Sequence, residues 1–297
     1  MVPVAADVVV VTGATGFIGR RLIDRLASIS TVYAASRSGA DVGASIGVRF
    51  DLEDFSTFAN LPPHADVVVH LAALIDSDDL QMSLRVNVAG TAELLDYTRR
   101  AAARIFIYGS TGGVYGAGSG CFHETDRLNP QDSYGLSKAQ AEGVVEWFAG
   151  DFTKVVLRYC APYGLGTPNP MTRIVSSVLA GRPIAVASSM SPRFNPLHLD
   201  DAVELTLRAM EYARDAVFNI SGTEVTTFAG VALTAGQHAG IAPILRCVPA
   251  EELLPYHRAD TTLAGEYAWQ SLDYVPVISL TEGIAGMVDD MRSVQGI

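Results

Sequence analysis

The sequence predicts an α/β fold, a doubly wound parallel sheet with a smaller, discontinuous α/β lobe. Three observations predict it. Short Val/Ile-rich runs alternate with longer amphipathic segments, as strands and crossover helices do. The runs DVVVV (7–11), DVVVH (66–70) and RIFIY (104–108) are nearly continuous in apolar residues, as strands covered on both faces are. A glycine-spaced turn follows the first run immediately.

In chain order, the strands are expected at Val8–Thr12, Thr31–Ala35, Val48–Phe50, Asp66–His70, Arg104–Tyr108 and Thr153–Tyr159. Helices are expected at Ile18–Ser28, Asp79–Ala102 and Ser133–Gly150, where apolar residues recur at helical spacing. After Tyr159 the texture changes, and residues 161–170 carry three prolines and two glycines that mark a loop. Further helices are expected at Thr172–Ala180, Asp200–Ala213 and Thr227–Ala239, among short extended pieces.

A chain of 297 residues can bury an ample core without disulfides or metal staples. The formal net charge is −11 and no Lys/Arg cluster appears, which argues against a nucleic-acid partner. Cys121, Cys160 and Cys247 lack ligand spacing, so buried free thiols in a reducing compartment are expected. The Asp pairs at 78–79, 200–201 and 289–290 read as helix-start or surface acids, and no metal is expected. The N-terminus shows no leader pattern and no run is long enough to span a bilayer, so the expected location is cytoplasmic, without a membrane partner.

Gly13, Gly16 and Gly19 stand at the end of the first strand and the start of the first helix. That placement allows a tight turn, close approach to a pyrophosphate, and free N–H groups at a helix tip. It predicts a Rossmann-like dinucleotide site. The second strand ends in Ala34-Ala35-Ser36-Arg37, with no acid to accept from an adenine ribose. Arg37 instead offers a fork suited to a 2′-phosphate, which favours NADP over NAD. Asp51 and Leu52, after the third strand, are expected beside the adenine.

At the other end of the site, Tyr134 and Lys138 lie at i and i+4, on one face of a helix. A phenol titrates near 10, too high for a base at neutral pH, and an adjacent ammonium favours its ionised form. Ser110 and Thr111, where a strand gives way to a loop, each offer a hydroxyl to the reacting oxygen.

Together these residues resemble the extended short-chain dehydrogenase/reductases, the NAD(P)-dependent epimerase/dehydratase group. The matching segments are TGATGFIG (12–19), HLAA (70–73), NVAGT (87–91), STGGVYG (110–116), PQDSYGLSK (130–138), LRYCAPYG (157–164), GRPI (181–184), FNPLHLDDAV (194–203) and FNISG (218–222). The resemblance implies that Tyr134 is the acid/base and that Lys138 binds the nicotinamide ribose. It implies Thr111 as the hydroxyl donor, with Ser110 the second choice. It places the cofactor against Gly13, Thr15, Gly16, Phe17, Ile18, Gly19, Leu71, Ala72, Ala73, Asn87 and Tyr159 as well. His70 and His198 are read as structural.

Departures from the group's pattern bear on the substrate. Dehydratases of the group commonly carry Asp-Glu where this chain has Gly112 and Gly113, so dehydration is disfavoured and these glycines are expected beside the substrate. Ala161 stands where sugar-nucleotide enzymes often carry Asn. Arg193 and Arg258 resemble arginines that hold a diphosphate, each one residue out of register. The expected division is 1–165 plus about 196–221 for the dinucleotide, and about 166–195 plus 222–297 for substrate. The expected function is an NADP(H)-dependent ketoreductase acting on a small molecule, best a keto-sugar nucleotide. The alternatives are an epimerase with retained NAD(P), and a non-catalytic NADP-binding sensor or scaffold. A homodimer through the helices at 79–102 and 133–150 is also implied.

Overall fold

The computed structural model describes residues 6–75, 77–118, 120–166, 169–187, 192–249, 252–253 and 260–295. The first half runs β1 (Val8–Thr12), α1 (Phe17–Leu26), β2 (Thr31–Ser36), β3 (Ile46–Arg49), β4 (Val67–His70), α2 (Leu80–Ser83), α3 (Gly90–Arg100), β5 (Ile105–Thr111), β6 (Cys121–Phe122), α4 (Ser133–Trp147) and β7 (Thr153–Tyr159). Then follow α5 (Pro170–Leu179), β8 (Ile184–Ala187), β9 (Arg193–Phe194), α6 (Leu199–Ala209), β10 (Ala216–Ile220), β11 (Thr226–Thr227), α7 (Phe228–Ala239), β12 (Leu245–Val248), β13 (Thr262–Leu263), α8 (Glu266–Ser271) and α9 (Leu280–Gln295).

The main sheet has seven strands in the order β10-β7-β5-β4-β1-β2-β3. Every pairing in it is parallel. Along β1, Val9 and Val11 join the core under α1 and α6, while Val10 points to the opposite core under α3 and α4. The two-residue alternation therefore finds apolar cover on both faces, which is why these strands read as unbroken hydrophobic runs. The strand order reverses between β1 and β4. In open α/β sheets that reversal opens a crevice at the carboxyl ends of the strands, where ligands bind.

A third core gathers α5, α7 and α9 through Val175, Val178, Val231, Ala235, Ile284 and Val288. Around it lie the short pairs β8–β12, β9–β11 and β6–β13. Ala268 of α8 and Leu272 just after it pack into the first core.

Several boundaries differ from expectation for physical reasons. β5 continues through Gly109, Ser110 and Thr111, held by pairing with Leu157, Arg158 and Tyr159 of β7, although these residues carry no apolar signal. The helix expected at 79–102 forms as α2, a wide π turn at Leu84–Ala89, and α3. α4 stops at Trp147. Cys160 is buried as expected, but Cys121 and Cys247 are exposed, because they sit in short strands outside the main sheet. No helix of the described residues is long and apolar enough to cross a membrane.

Candidate active site

The glycine turn is fixed by steric necessity. Gly13 has φ +69°, and a Cβ there would lie 2.7 Å from the backbone nitrogen of Ala72. Only glycine fits both the left-handed backbone and that approach. At Gly19 a Cβ would come within 2.3 Å of the Gly13 carbonyl oxygen, so the third glycine lets α1 close onto the turn. The Gly16 amide donates to that carbonyl oxygen at 2.8 Å. Gly16 is also the N-cap of α1 and supplies no side-chain acceptor. By contrast α4, α5, α6 and α7 each begin on a capping side chain. The α1 tip thus keeps unsatisfied N–H groups and the positive end of a helix dipole, with Thr15 and Gly16 exposed beside it. Phe17 and Ile18 are half-buried in the first turn.

The loop after β4 forms the other wall. The Leu71 amide donates to the Thr12 carbonyl oxygen at 3.2 Å, and the Ala72 amide to the Thr12 hydroxyl at 3.3 Å. Ala73 continues this half-buried wall. Asn87, buried in the π turn, fixes its far side: Oδ1 accepts from the Leu74 amide at 2.8 Å and Nδ2 donates to the Leu74 carbonyl at 2.9 Å. Nδ2 also donates to the Ser137 hydroxyl at 2.9 Å, so Asn87 ties this wall to α4. On the other flank Arg37 is exposed just past β2 and makes no hydrogen bond or ion pair with another described residue. Asp51 caps its own turn through the Glu53 amide, and the Leu52 side chain is buried against Gly90.

α4 starts on Asp132, whose carboxylate accepts from the Gly135 amide at 2.6 Å. This cap sets the first turn that carries Tyr134. Tyr134 is half-buried, and burial followed by the nearby Asp132 charge pushes its phenol above the ordinary range. Lys138 is buried, which drives it down to about 7 against an opposing pull from Glu142. Its Nζ lies 4.0 Å from the centroid of the Tyr108 ring, a cation–π contact.

The two hydroxyls at the end of β5 differ sharply. Ser110 is buried and donates to Glu142 Oε1. Thr111 is half-exposed, and its Oγ1 accepts from the Gly113 amide at 3.1 Å, which leaves its O–H free to donate. Gly112 lies under Leu263, whose Cδ1 would sit 3.2 Å from an added Cβ, whereas Gly113 is exposed.

Arg193 on β9 is held by Asp260, through Nε and Nη2 to Oδ2 at 2.9 and 2.7 Å and through its amide to Oδ1 at 2.8 Å. Arg258 lies outside the described residues. Tyr159 sends its ring into the first core, and its hydroxyl pairs with that of Thr206 at 2.7 Å, so this phenol is already engaged. His70 is buried between the hydroxyls of Thr12 (2.7 Å) and Thr91 (3.1 Å). Thr91 donates to the Asn87 carbonyl, so His70 Nε2–H donates to Thr91 and Nδ1 accepts from Thr12. Burial and the Lys138 charge hold it well below the usual histidine range, as a neutral strut. His198 caps α6 by accepting from the Asp200 amide. Among the described residues no group of acids, histidines and cysteines could hold a metal.

Sequence reading missed Glu142, Arg158, Tyr108, Asp132 and Asp260. Glu142 was detectable as the next residue on the Tyr134/Lys138 face. Asp132 stands in the position of an N-cap. The pairing of Arg193 with Asp260 spans 67 positions and has no local signal.

The sequence pattern of the NAD dependent epimerase/dehydratase family matches residues 9–221. A UDP-glucose 4-epimerase of Vibrio cholerae is 30% identical over 236 residues, covering 74% of this chain and 72% of that protein. A UDP-glucose 4-epimerase of Mycolicibacterium smegmatis is 28% identical over 95% of this chain and 98% of its own length. The crystal structure of the Thermotoga maritima UDP-glucose 4-epimerase with UDP-glucose superposes with a TM-score of 0.84 at 25% identity, over 97% of this chain and 99% of that one. A parallel sheet with a glycine turn at its switch point and a Tyr/Lys helix beside it defines a nicotinamide-dependent enzyme of the extended short-chain dehydrogenase/reductase type. The chain belongs to the NAD-dependent epimerase/dehydratase family.

Proposed function

We propose that this enzyme transfers a hydride at an alcohol or ketone carbon of a nucleoside-diphosphate sugar, with Tyr134 as the proton-transferring group. The observation that carries the reading is that α4, which bears Tyr134 and the buried Lys138 one turn apart, starts against the end of β5: a Cβ at Gly135 would lie 2.9 Å from the carbonyl oxygen of Gly113, two residues past Thr111. The residues around the crevice fit a dinucleotide. A turn without side chains meets an uncapped helix tip, which suits a pyrophosphate. Gly13, Thr15, Gly16, Phe17, Ile18 and Gly19 would hold it, with Leu71, Ala72 and Ala73 along the opposite wall. When bound, the nicotinamide supplies or accepts the hydride.

Tyr134, whose pKa is raised, keeps its proton at neutral pH and donates it to the oxygen of a ketone under reduction. Thr111 donates a second hydrogen bond to that oxygen. Lys138 in its charged form stabilises the resulting phenolate, and in the reverse direction it favours loss of the phenol proton. Ser110 takes no part, because its proton is committed to Glu142. Asn87 acts on the wall and on α4. Gly112 and Gly113 leave no carboxylic acid beside the substrate, so elimination of a hydroxyl has no acid to drive it. Arg193, pre-oriented by Asp260, would grip the diphosphate.

Arg37, exposed where an acid would otherwise receive a ribose, supports NADP as the preferred cofactor. The smaller lobe, built around α5, α7 and α9, would supply substrate specificity. Trp147, 88% exposed at the end of α4, supports a homodimer through α3 and α4.

A second reading is favoured by the relatives, two of which are UDP-glucose 4-epimerases. In it the cofactor stays bound and the hydride returns to the opposite face. The test incubates the protein with NADPH or NADH and a UDP-keto-sugar, and separately with UDP-glucose or UDP-glucuronic acid alone, following the absorbance of the reduced nicotinamide and the sugar products. Net oxidation of NADPH with a UDP-keto-sugar supports the reductase, and epimer formation without net oxidation supports the epimerase. Wild-type rates in Tyr134→Phe would refute both.

A further inference from the structure

The geometry points to Glu142, paired with Arg158 beneath the active site, as a positioning residue that keeps Lys138 charged and holds Ser110 away from the substrate. This inference rests on the reading of Lys138 and Tyr134 as the proton-transfer pair.

Three acid–base groups stand at consecutive turns on one face of α4: Tyr134, Lys138 and Glu142. Glu142 is buried, and so is Arg158 on β7. Arg158 Nη2 donates to Glu142 Oε2 at 2.7 Å, and Nε lies 3.2 and 3.1 Å from Oε1 and Oε2. The remaining lobe of Oε1 takes the Ser110 hydroxyl. Arg158 Nη1 donates to the Tyr115 hydroxyl at 2.6 Å and to the Glu124 carbonyl at 3.0 Å. Tyr115 passes the chain to Asn219 Oδ1 at 2.7 Å. The carboxylate is therefore fully engaged and cannot swing, which fixes where its charge acts.

A buried ion pair is a weak source of stability, because desolvation offsets much of its attraction. Its place here suits a different task. Lys138 acts on Glu142 one turn on along its own helix, the Tyr108 ring on β5, and neutral His70 on β4, with Tyr134 one turn back along α4. Glu142 supplies the negative charge among these groups, and it opposes the burial that would discharge the amine. With Lys138 poised at about 7, that contribution decides how much ammonium is present at neutral pH. Ser110 is the second consequence. Its neighbour Thr111 points to the other side of β5 by strand alternation, so anchoring Ser110 to Glu142 leaves Thr111 as the donor at the strand end.

The test is the pH profile of kcat/KM for a UDP-hexose substrate with the holoenzyme, in wild type, Glu142→Gln and Glu142→Asp. Glu142→Gln keeps shape and an acceptor for Ser110 but removes the charge. Its alkaline limb is expected to fall about one pH unit earlier, a tenfold change in the Lys138 protonation equilibrium. Glu142→Asp is expected to restore the wild-type limb. Should Glu142→Gln fail to fold around an unpaired Arg158, the double variant Glu142→Gln/Arg158→Gln carries no unpaired charge; because it removes a positive charge along with the negative one, it is expected to show a smaller shift in the same direction. A limb that does not move in the folded variant, with only thermal stability lost, overturns the inference. Lys138→Met separates the two levels: if it retains wild-type rates, the reading of the active site itself fails. If it abolishes activity while the Glu142→Gln limb stays fixed, only the role of Glu142 fails.

Discussion

Thr111→Val and Ser110→Ala form a matched pair that tests which hydroxyl meets the reacting oxygen. Valine keeps the branched shape of threonine and removes the O–H. That O–H donates to no other described residue, and the Thr111 oxygen accepts from the Gly113 amide. Removing one donor aimed at a developing oxyanion costs about 10²–10³ in kcat. Thr111 is half-exposed, so water can partly substitute, and a loss of about a hundredfold is expected. The lost acceptor for Gly113 should lower stability by about 1 kcal/mol, as loss of a cap does. Ser110→Ala should behave in the opposite way. It removes a buried hydrogen bond to a carboxylate, worth about 1.5–3 kcal/mol, but leaves kcat within about threefold. The assay is kcat by chromatographic separation of UDP-sugar products, alongside thermal melting of each variant. A hundredfold loss in Ser110→Ala with near-normal Thr111→Val would refute the assignment.

Gly19→Ala should abolish cofactor binding, measured by calorimetry, because its methyl would lie 2.3 Å from the Gly13 carbonyl and force α1 off the turn; ordinary affinity would contradict this. Arg37→Ala should weaken NADPH binding by at least tenfold, about 1.4 kcal/mol, and leave NADH binding little changed, read by fluorescence titration, with equal losses counting against the NADP preference. His70 gives a pH prediction. Its folded pKa lies well below the unfolded 6.5, so below 6.5 the unfolded chain binds the extra proton and stability falls as pH falls. The slope attributable to His70 approaches about 1.4 kcal/mol per pH unit, and denaturant titrations of His70→Gln should show a shallower decline if the histidine causes it. Ala161 has φ +40° and is exposed, a left-handed backbone that asparagine tolerates better. Ala161→Asn is expected to stabilise by about 0.5–1 kcal/mol in melting experiments, and destabilisation would show that the strain reading is wrong.

The fold was legible because its strands are covered on both faces. Val9, Val10 and Val11 look alike in sequence and serve two different cores. The Tyr134/Lys138 spacing was legible because a helix turns a fixed offset into proximity. What escaped had no local period. Strands of two residues such as β6, β9, β11 and β13 are too short to show alternation. The last residues of β5 are polar or lack a side chain, and only pairing with β7 makes them strand. Only the family resemblance ranked Thr111 over Ser110; the physical difference between them lies in a carboxylate 32 positions away from Ser110. Glu142 and Arg158 likewise read as ordinary charges until β7 and α4 were seen to meet.

Asn87 has a mechanical consequence. One amide group grips both backbone atoms of Leu74 and, through the Ser137 hydroxyl, reaches the carbonyl of Tyr134. A push on the rim at Leu74 therefore arrives at the catalytic helix through only two successive bonds, without crossing soft apolar packing. Seating a dinucleotide against that rim would stiffen the very turn from which the phenol projects, so that occupancy of one half of the crevice sets the aim of the other.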